Sequence, residues 1–411
     1  MPNILEIAKK IEKHGGRLYL VGGAIRDEIL GKKVSDKDYC VTGLTGEKFK
    51  TIFPQAIPRG KFFEVYDLCN CEFAMARAEK KTGVGHKEFQ ITTGENITIE
   101  QDLARRDITI NSMAKDVITG EIIDPFNGRK DIKNKIIKHT TTAFIEDPLR
   151  VYRVARFAAT LEFNVYEKTL KLMGTLKNEL LTLSKERVFV EFRKALNSKR
   201  PSIFFNVLKN AHILDVHFKE INDLIGVLQP EKYHPEGDSF NHTMIAVDKS
   251  SKLTENLEIK YAVLVHDLGK GLTPKQEYPH HYNHDKNGVQ PVRDLSNRIG
   301  VPTSWKKCGI ISASEHMRAG VFNEMRPSKQ VDLIEKIDKS LLGLDGMGIV
   351  VVCDSNKDIK LNDIKFIGIG KEMLQQINGD YIKKKYDIEP GLKFKEILRK
   401  ERIKWIKQNN I

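Results

Sequence analysis

Residues 18–39 read LYLVGGAIRDEILGKKVSDKDY. The apolar run Leu18 to Val21 predicts a strand, broken at Gly22-Gly23 before a segment of helical character, Ala24 to Leu30. A turn around Gly31 then leads to Asp36-Lys37-Asp38. On an extended backbone residues i and i+2 share a face, so Asp36 and Asp38 present two carboxylates side by side. Such a pair repels itself unless a cation sits between. Gly22 and Gly23 at the mouth of a helix let backbone N–H groups approach an anion, whose charge the helix dipole favours. The stretch therefore offers metal ligands beside a phosphate cradle.

GGxxRD followed closely by DxD resembles the polymerase-beta-like nucleotidyltransferases, in the branch that holds bacterial CCA-adding enzymes and poly(A) polymerases. The resemblance implies an α+β fold: a nucleotidyltransferase head with a small mixed sheet, then an all-helical neck, body and tail. It also implies that Gly22, Gly23 and Arg26 place the phosphates and sugar of a nucleotide, while Asp36 and Asp38 hold two Mg2+ ions.

Downstream, Phe62 to Leu68 and Glu72 to Arg77 read as strands, and alternation puts Glu72, Ala74 and Ala76 on one face. Two-metal sites often take a third carboxylate from a neighbouring strand, which makes Glu72 the catalytic candidate. A surface glutamate at a strand end is the plain alternative. Glu79 to Gly94 is polar, with Gly83, Gly85 and Gly94, and is expected to be a mobile loop. In Asp102 to Asn111, DLARRDITIN, an arginine such as Arg106 can fork onto a triphosphate, and Asp107 and Asn111 can bond ribose hydroxyls. RRDxxIN resembles the second motif of the same family. Asp124 to Gly128 carries turn residues, and Asp131 to Lys138 resembles the third motif, a structural link.

The fourth motif is Glu146-Asp147-Pro148-Leu149-Arg150-Val151-Tyr152-Arg153, continuing through Arg156-Phe157. Asp147 before Pro148 suits a helix start, with Asp as N-cap and Pro as the first helical residue. Arg150, Arg153 and Arg156 recur every three residues and stay near one another on a helix that is otherwise apolar, so they are expected to face a ligand. A carboxylate only accepts hydrogen bonds and a guanidinium only donates them. An Asp147–Arg150 edge would therefore accept cytosine and adenine, which offer an amine beside a ring acceptor. UTP or GTP would leave a buried group unpaired, at about 1–3 kcal/mol per lost bond. EDxxRxxR resembles class II CCA-adding enzymes, and that resemblance implies the same reading of CTP and ATP.

Tyr166 to about Asn210 reads as a helical neck, including Glu186 to Leu196. Histidines then concentrate: His234, His242, His266, His280, His281, His284 and His316. His266-Asp267 closes an apolar run in YAVLVHDLGKG, and an imidazole next to a carboxylate there suggests a first-row metal. With His242 upstream and Asp354 downstream, the pattern resembles the HD phosphohydrolase superfamily. That implies a divalent transition metal such as Ni2+ or Mn2+ on His242, His266, Asp267 and Asp354, and phosphatase, 2′-nucleotidase or 2′,3′-cyclic phosphodiesterase activity. His280, His281, His284 and His316 stand as ligands for a phosphate or a second metal, or as exposed loop residues.

A formal net charge of +13 and a pI near 9.2 favour a polyanionic partner. Lys383 to Lys385 and the run from Lys393 to Lys407 fit phosphate contacts along a tRNA, although Phe394, Ile397, Leu398 and Trp405 form an apolar stripe of which these charges could be the solvated face. Five cysteines without a CxxC pair predict free thiols in a reducing cytoplasm. Cys69 and Cys71 could share a metal, but two strand cysteines on one face are more often packing residues. No apolar run is long enough for a bilayer, and the first residues predict an amphipathic helix through Ile4, Ile7, Ala8 and Ile11 rather than a signal peptide.

The expected domains are the catalytic head at 1–140, a base-reading neck at 141–225, an HD domain at 226–345 and a basic tail at 346–411. The expected function is tRNA CCA addition from CTP and ATP, by a monomer or homodimer. The alternatives are a poly(A) polymerase of the same branch, and a tRNA-end repair phosphohydrolase that uses the head for docking.

Overall fold

The apolar run of the opening stretch becomes β1, Arg17–Val21, in the interior of a seven-stranded mixed sheet. A computed structural model describes residues 3–34, 37–59, 65–81, 89–232 and 235–409. The chain divides into two units, Met1–Arg187 and Val188–Ile411.

In the first unit β1 is followed by β2 (Asp38–Thr42), β3 (Ile57–Arg59), β4 (Val65–Leu68), β5 (Cys71–Met75), β6 (Arg77–Lys81), β7 (Phe89–Thr93), β8 (Ala114–Asp116) and β9 (Ile122–Ile123). The sheet order is β3-β4-β5-β2-β1-β8-β9. β1 runs antiparallel to β2 and β8, and β2 runs parallel to β5. Strand alternation divides the side chains between two apolar layers. Leu18, Tyr39, Val41 and Phe73 join the N-terminal helix Ile4–Lys13 and Phe49 in one. Tyr19, Val21 and Cys40 join Ile99 and Leu103 in the other. The N-terminal helix buries Ile7, Ala8 and Ile11, and Asn3 with Glu6 closes its first turn as a reciprocal cap.

Two local expectations change. Cys69 is not in a strand: Cys69 and Asn70, with φ of 54° and 62°, form the two-residue turn between Leu68 and Cys71. Two left-handed residues in succession match the twist of the strands they join. The segment expected to be a loop from Glu79 to Gly94 includes paired backbone, because β6 and β7 form an antiparallel ribbon from Arg77↔Thr93 to Lys81↔Phe89. Phe89-Gln90-Ile91-Thr92-Thr93 is rich in strand-favouring residues, and their preference for extended backbone prevails over the loop signal of the glycines. Gly83 and Gly85 lie outside the described residues.

The first unit continues through the helices Gly128–Lys133, Leu149–Leu161 and Glu167–Thr175. The second unit is helical and has no strand among the described residues. Its Leu257–Val265 helix is apolar all round, so it must be covered on every side. It packs on the helices Ser239–Leu253, Thr303–Gly320 and Gly343–Asp354, and Lys260 to Val265 are all buried. Beyond it Val331, Ile334, Met347, Val350 and Ile406 form a shared core with Trp405 of the last helix, Leu392–Asn409.

That helix also uses part of its charge internally. Arg402 is buried, bonded to the Ile377 carbonyl and to Glu335, and Arg399 pairs with Asp332. The expected boundary at 345/346 falls inside the Gly343–Asp354 helix, whose last residue is a predicted metal ligand. Among the described residues no helix is long and apolar enough to cross a membrane.

Candidate active sites

In the head, β1 ends at Val21 and the chain turns through Gly22, φ +73°, into the helix Gly23–Ile29. The positive φ calls for glycine at Gly22, and the turn passes close to Arg106: a Cβ there would lie 3.1 Å from a guanidinium nitrogen. Asp38 opens β2, where its Cα partners are Val21 on β1 and Glu72 on β5. Glu72 thus stands next to Asp38, as alternation required. Burial raises the Glu72 carboxyl, and the charges of Asp38 and Asp67 raise it further. Carboxylates crowded in this way favour a cation between them. Asp36 lies outside the described residues.

One network joins three motifs that are distant in sequence. Arg26 donates to the Asn111 side-chain oxygen at 2.6 Å, Asn111 donates to Asp107 at 3.3 Å, and Arg153 donates to the other Asp107 oxygen at 2.7 Å. Asp107 also accepts from the Ile108 N–H. Burial opposes its charge, but Arg153 and then Arg150 hold its carboxyl below the usual range. In this arrangement Asp107 and Asn111 bond Arg26 and Arg153, so they also position those arginines. Phe157 carries the same cluster from the other side, with guanidinium carbons of Arg26, Arg153 and Arg156 at 5.1, 5.6 and 3.8 Å from its ring centre. Three guanidinium groups gathered on one ring concentrate positive charge there.

Asp102 was not singled out by motif. It is 1% exposed and anchors both Arg105, at 2.7 Å, and Arg106, at 3.0 Å. Its i+3 and i+4 spacing to those arginines was the readable clue. Burial works against the Asp102 charge, yet the two arginines hold the carboxyl down to about 2, against an ordinary 3.8. A folded pKa below the unfolded one gives stability that is complete above about pH 4 and is lost as pH falls through about 2, worth about 2 kcal/mol. Asp102→Asn should therefore lower the urea midpoint most at neutral pH, and the gap to the parent should narrow as pH falls from about 4 through about 2. A gap independent of pH contradicts this account.

The helix Leu149–Leu161 begins one residue later than expected, with Pro148 at its cap position. Asp147 still caps it, accepting from the Leu149 N–H at 3.0 Å. Its carboxylate is also held by Arg187, at 2.9 and 3.3 Å, a partner forty residues on that periodicity could not reveal. Arg150 is buried and donates to the Ala143 carbonyl at 2.5 Å. Each half of the expected base-reading edge is thus fixed by a separate protein group.

In the second unit His242, His266, Asp267 and Asp354 bring ligand atoms within 4.8 Å of one another. His242 and His266 stand 3.0 and 3.3 Å from the same Asp354 oxygen through their Nε2 atoms. Their Nδ1 atoms bond Glu236, at 2.6 Å, and the Val263 carbonyl, at 2.7 Å. Binding Nδ1 in this way orients Nε2 as a metal ligand. Burial lowers the His266 pKa, but Asp267 and Asp354 outweigh it and push the imidazole up to about 10. Asp267 is fully buried, and neither of its oxygens has a hydrogen bond. The Lys270 ammonium makes an ion-pair contact with it at 2.5 Å and donates to Gln229 at 2.7 Å. An orphaned carboxylate ringed by imidazoles fits a divalent metal.

Of the other histidines, His281 bonds Thr273 and the Leu228 carbonyl, and His280 stacks on Tyr282. His284 and His316 are both buried beside Asp267. His234 lies outside the described residues. Lys383 and Lys384 are exposed, whereas Lys385 pairs with Glu401.

Residues 18–138 match the family described as the Poly A polymerase head domain, and residues 162–225 match a probable RNA and SrmB-binding site of polymerase A. The chain is 43% identical over 330 residues to a multifunctional CCA protein of Mannheimia succiniciproducens, covering 78% of each chain. It is 41% identical over 330 residues to one of Acinetobacter baylyi, covering 78% of this chain and 79% of that one. Among solved structures it resembles a CCA-adding enzyme with ATP, at TM-score 0.65 and 22% identity, over 98% of this chain and 90% of that one. It also resembles the Bacillus stearothermophilus CCA-adding enzyme in complex with CTP, at TM-score 0.59 and 20% identity, over 99% and 93%. At those identities the structural likeness speaks for the fold.

Proposed function

The chain belongs to the family of multifunctional CCA proteins, and from that premise we propose that it adds C, C and A to tRNA 3′ ends from CTP and ATP. The observation that carries this reading is the network joining Arg26, Asn111, Asp107 and Arg153, which links three motifs and sets arginines of the first and fourth around Phe157. Asp36, Asp38 and Glu72 would hold magnesium, which lowers the pKa of the tRNA 3′-hydroxyl and offsets the triphosphate charge. Gly22 and Gly23 present backbone N–H groups, and Arg106, fixed by Asp102, reaches the phosphates over the Gly22 turn. Asp147 and Arg150 read the base, the first steadied by Arg187. Arg153 and Arg156 complete the nucleotide pocket.

Incubation with tRNA lacking its terminus, plus labelled CTP and ATP, tests the reading. Incorporation should stop at three nucleotides and exclude UTP. A second reading, a poly(A) polymerase, has in its favour the description of the matched head family. A long A tail, or UTP used as readily as CTP, would turn the assignment to it or to an unselective transferase.

The four-part division is kept as a functional proposal, with the HD domain extended to include Asp354. His242, His266, Asp267 and Asp354 would hold a divalent metal such as Ni2+ or Mn2+, supplying the chemistry of phosphoester hydrolysis. The orphaned Asp267 carboxylate supports this. Lys270 offers a fixed ammonium next to it for a phosphate oxygen.

A further inference from the structure

Three large apolar side chains of the second unit stand out in solvent close to one ring. Leu228, Leu272 and Tyr282 are 57, 58 and 69% exposed, and they come from three separate segments. His281 ties those segments together. A carbonyl only accepts, so His281 Nε2 donates to the Leu228 carbonyl at 2.9 Å and Nδ1 is left to accept from the Thr273 hydroxyl at 3.0 Å. Leu272 precedes Thr273 and Tyr282 follows His281 in the chain. His280 then stacks on Tyr282, with ring centres 5.9 Å and planes 27° apart. An exposed tyrosine already backed by an imidazole is a platform for another flat ring.

The same segments lead inward to buried donors. Gln229, next to Leu228, is 6% exposed, and its Oε1 accepts from Lys270 at 2.7 Å. An ammonium only donates, so this bond fixes which way the amide faces. Nε2 is left buried, with no hydrogen-bond partner among the described residues. An unpaired buried donor is unfavourable in the free protein, and a phosphate or sugar oxygen would satisfy it. Lys270, two residues before Leu272, contacts Asp267 at 2.5 Å, and the His281 carbonyl holds His284 beside that carboxylate. Donors for an oxyanion thus lie within, and an aromatic and apolar rim lies outside.

We propose that this rim binds the nucleoside of the substrate: Tyr282, backed by His280, stacks the base between Leu228 and Leu272, while Gln229 Nε2 donates to an oxygen of the phosphate. The inference rests on the phosphohydrolase reading and adds to it the residues that favour nucleoside phosphates over phosphoesters without a base.

The test compares two five-membered cyclic phosphates on the full-length chain, 2′,3′-cyclic AMP and glycerol 1,2-cyclic phosphate, which lacks a base. Tyr282→Ala removes an exposed ring and opens no cavity. It should raise KM for 2′,3′-cyclic AMP roughly tenfold, the scale of one base–aromatic stack, and leave kcat and the glycerol ester unchanged. Tyr282→Phe should restore the parent KM. Gln229→Glu keeps the acceptor for Lys270 and removes the donor, so it should weaken both substrates alike. A Tyr282→Ala chain that treats both substrates as the parent does, or loses both equally, overturns the rim and leaves the phosphohydrolase reading standing. A parent that hydrolyses neither overturns that reading, and calorimetric titration with adenosine 2′-phosphate then decides the rim. A binding component present in the parent and lost in Tyr282→Ala supports it, and identical titrations overturn it.

Discussion

Asp38→Asn is expected to lower nucleotide addition roughly 10³-fold or more, because losing a metal ligand forfeits several kcal/mol of transition-state stabilisation and each 1.36 kcal/mol is tenfold. The substitution keeps the shape of the side chain and removes its charge. Asp38 is exposed at the start of β2, with Val21 and Glu72 as its Cα partners, so the change reaches the site without opening the core beneath Tyr39 and Val41. Unchanged circular dichroism, with kcat for CTP incorporation lost, is the expected pair of results. The same variant separates the two classes of function. If tRNA-end repair in cells persists while addition is gone, the head is a docking module. If addition survives near its original rate, Asp38 is not a metal ligand and the two-carboxylate account is wrong.

Much of this site was legible because its clues are local. Gly22-Gly23, the helix that follows and Asp38 beside a strand sit within two dozen residues, where backbone period and turn chemistry speak directly. The HD quartet was legible for a different reason: His266-Asp267 ends a helix apolar on all sides, and a polar pair in such a place demands explanation. What stayed hidden depends on pairing across distance. Arg187 meets Asp147 forty residues away, and Arg153 meets Asp107 across forty-six. Neither follows from any helical or strand period. The motif around Asp107 says nothing of Arg153, yet its carboxylate sits between Arg153, Asn111 and the Ile108 N–H. His284 and His316 belong to separate helices, and only folding shows that they share Asp267. The β6–β7 ribbon was missed because glycines near its tip were weighed above the strand-favouring residues of its second arm.

His266→Ala should abolish hydrolysis of a 2′,3′-cyclic phosphate, a loss on the order of 10³-fold, while CCA addition continues. His266 is fully buried, and its Nε2 stands 3.3 Å from oxygens of both Asp267 and Asp354. That nitrogen therefore lies between the two carboxylates of the proposed metal site. Removing it leaves those carboxylates closer to mutual repulsion with one imidazole fewer to offset them, so some loss of stability accompanies the loss of ligation. His266→Gln separates the two effects, since it keeps polar bulk between the carboxylates without restoring an imidazole. Both variants should lose hydrolysis, and the glutamine variant should retain more of the thermal midpoint. In the proposed mechanism the head uses Asp38, Glu72 and the arginines around Phe157, all in the first unit, so nucleotide addition reports that this unit is intact and the thermal midpoint reports the second. Hydrolysis that persists in His266→Gln, measured on protein that still adds CCA, removes His266 from the ligand set and with it the metal assignment of the quartet.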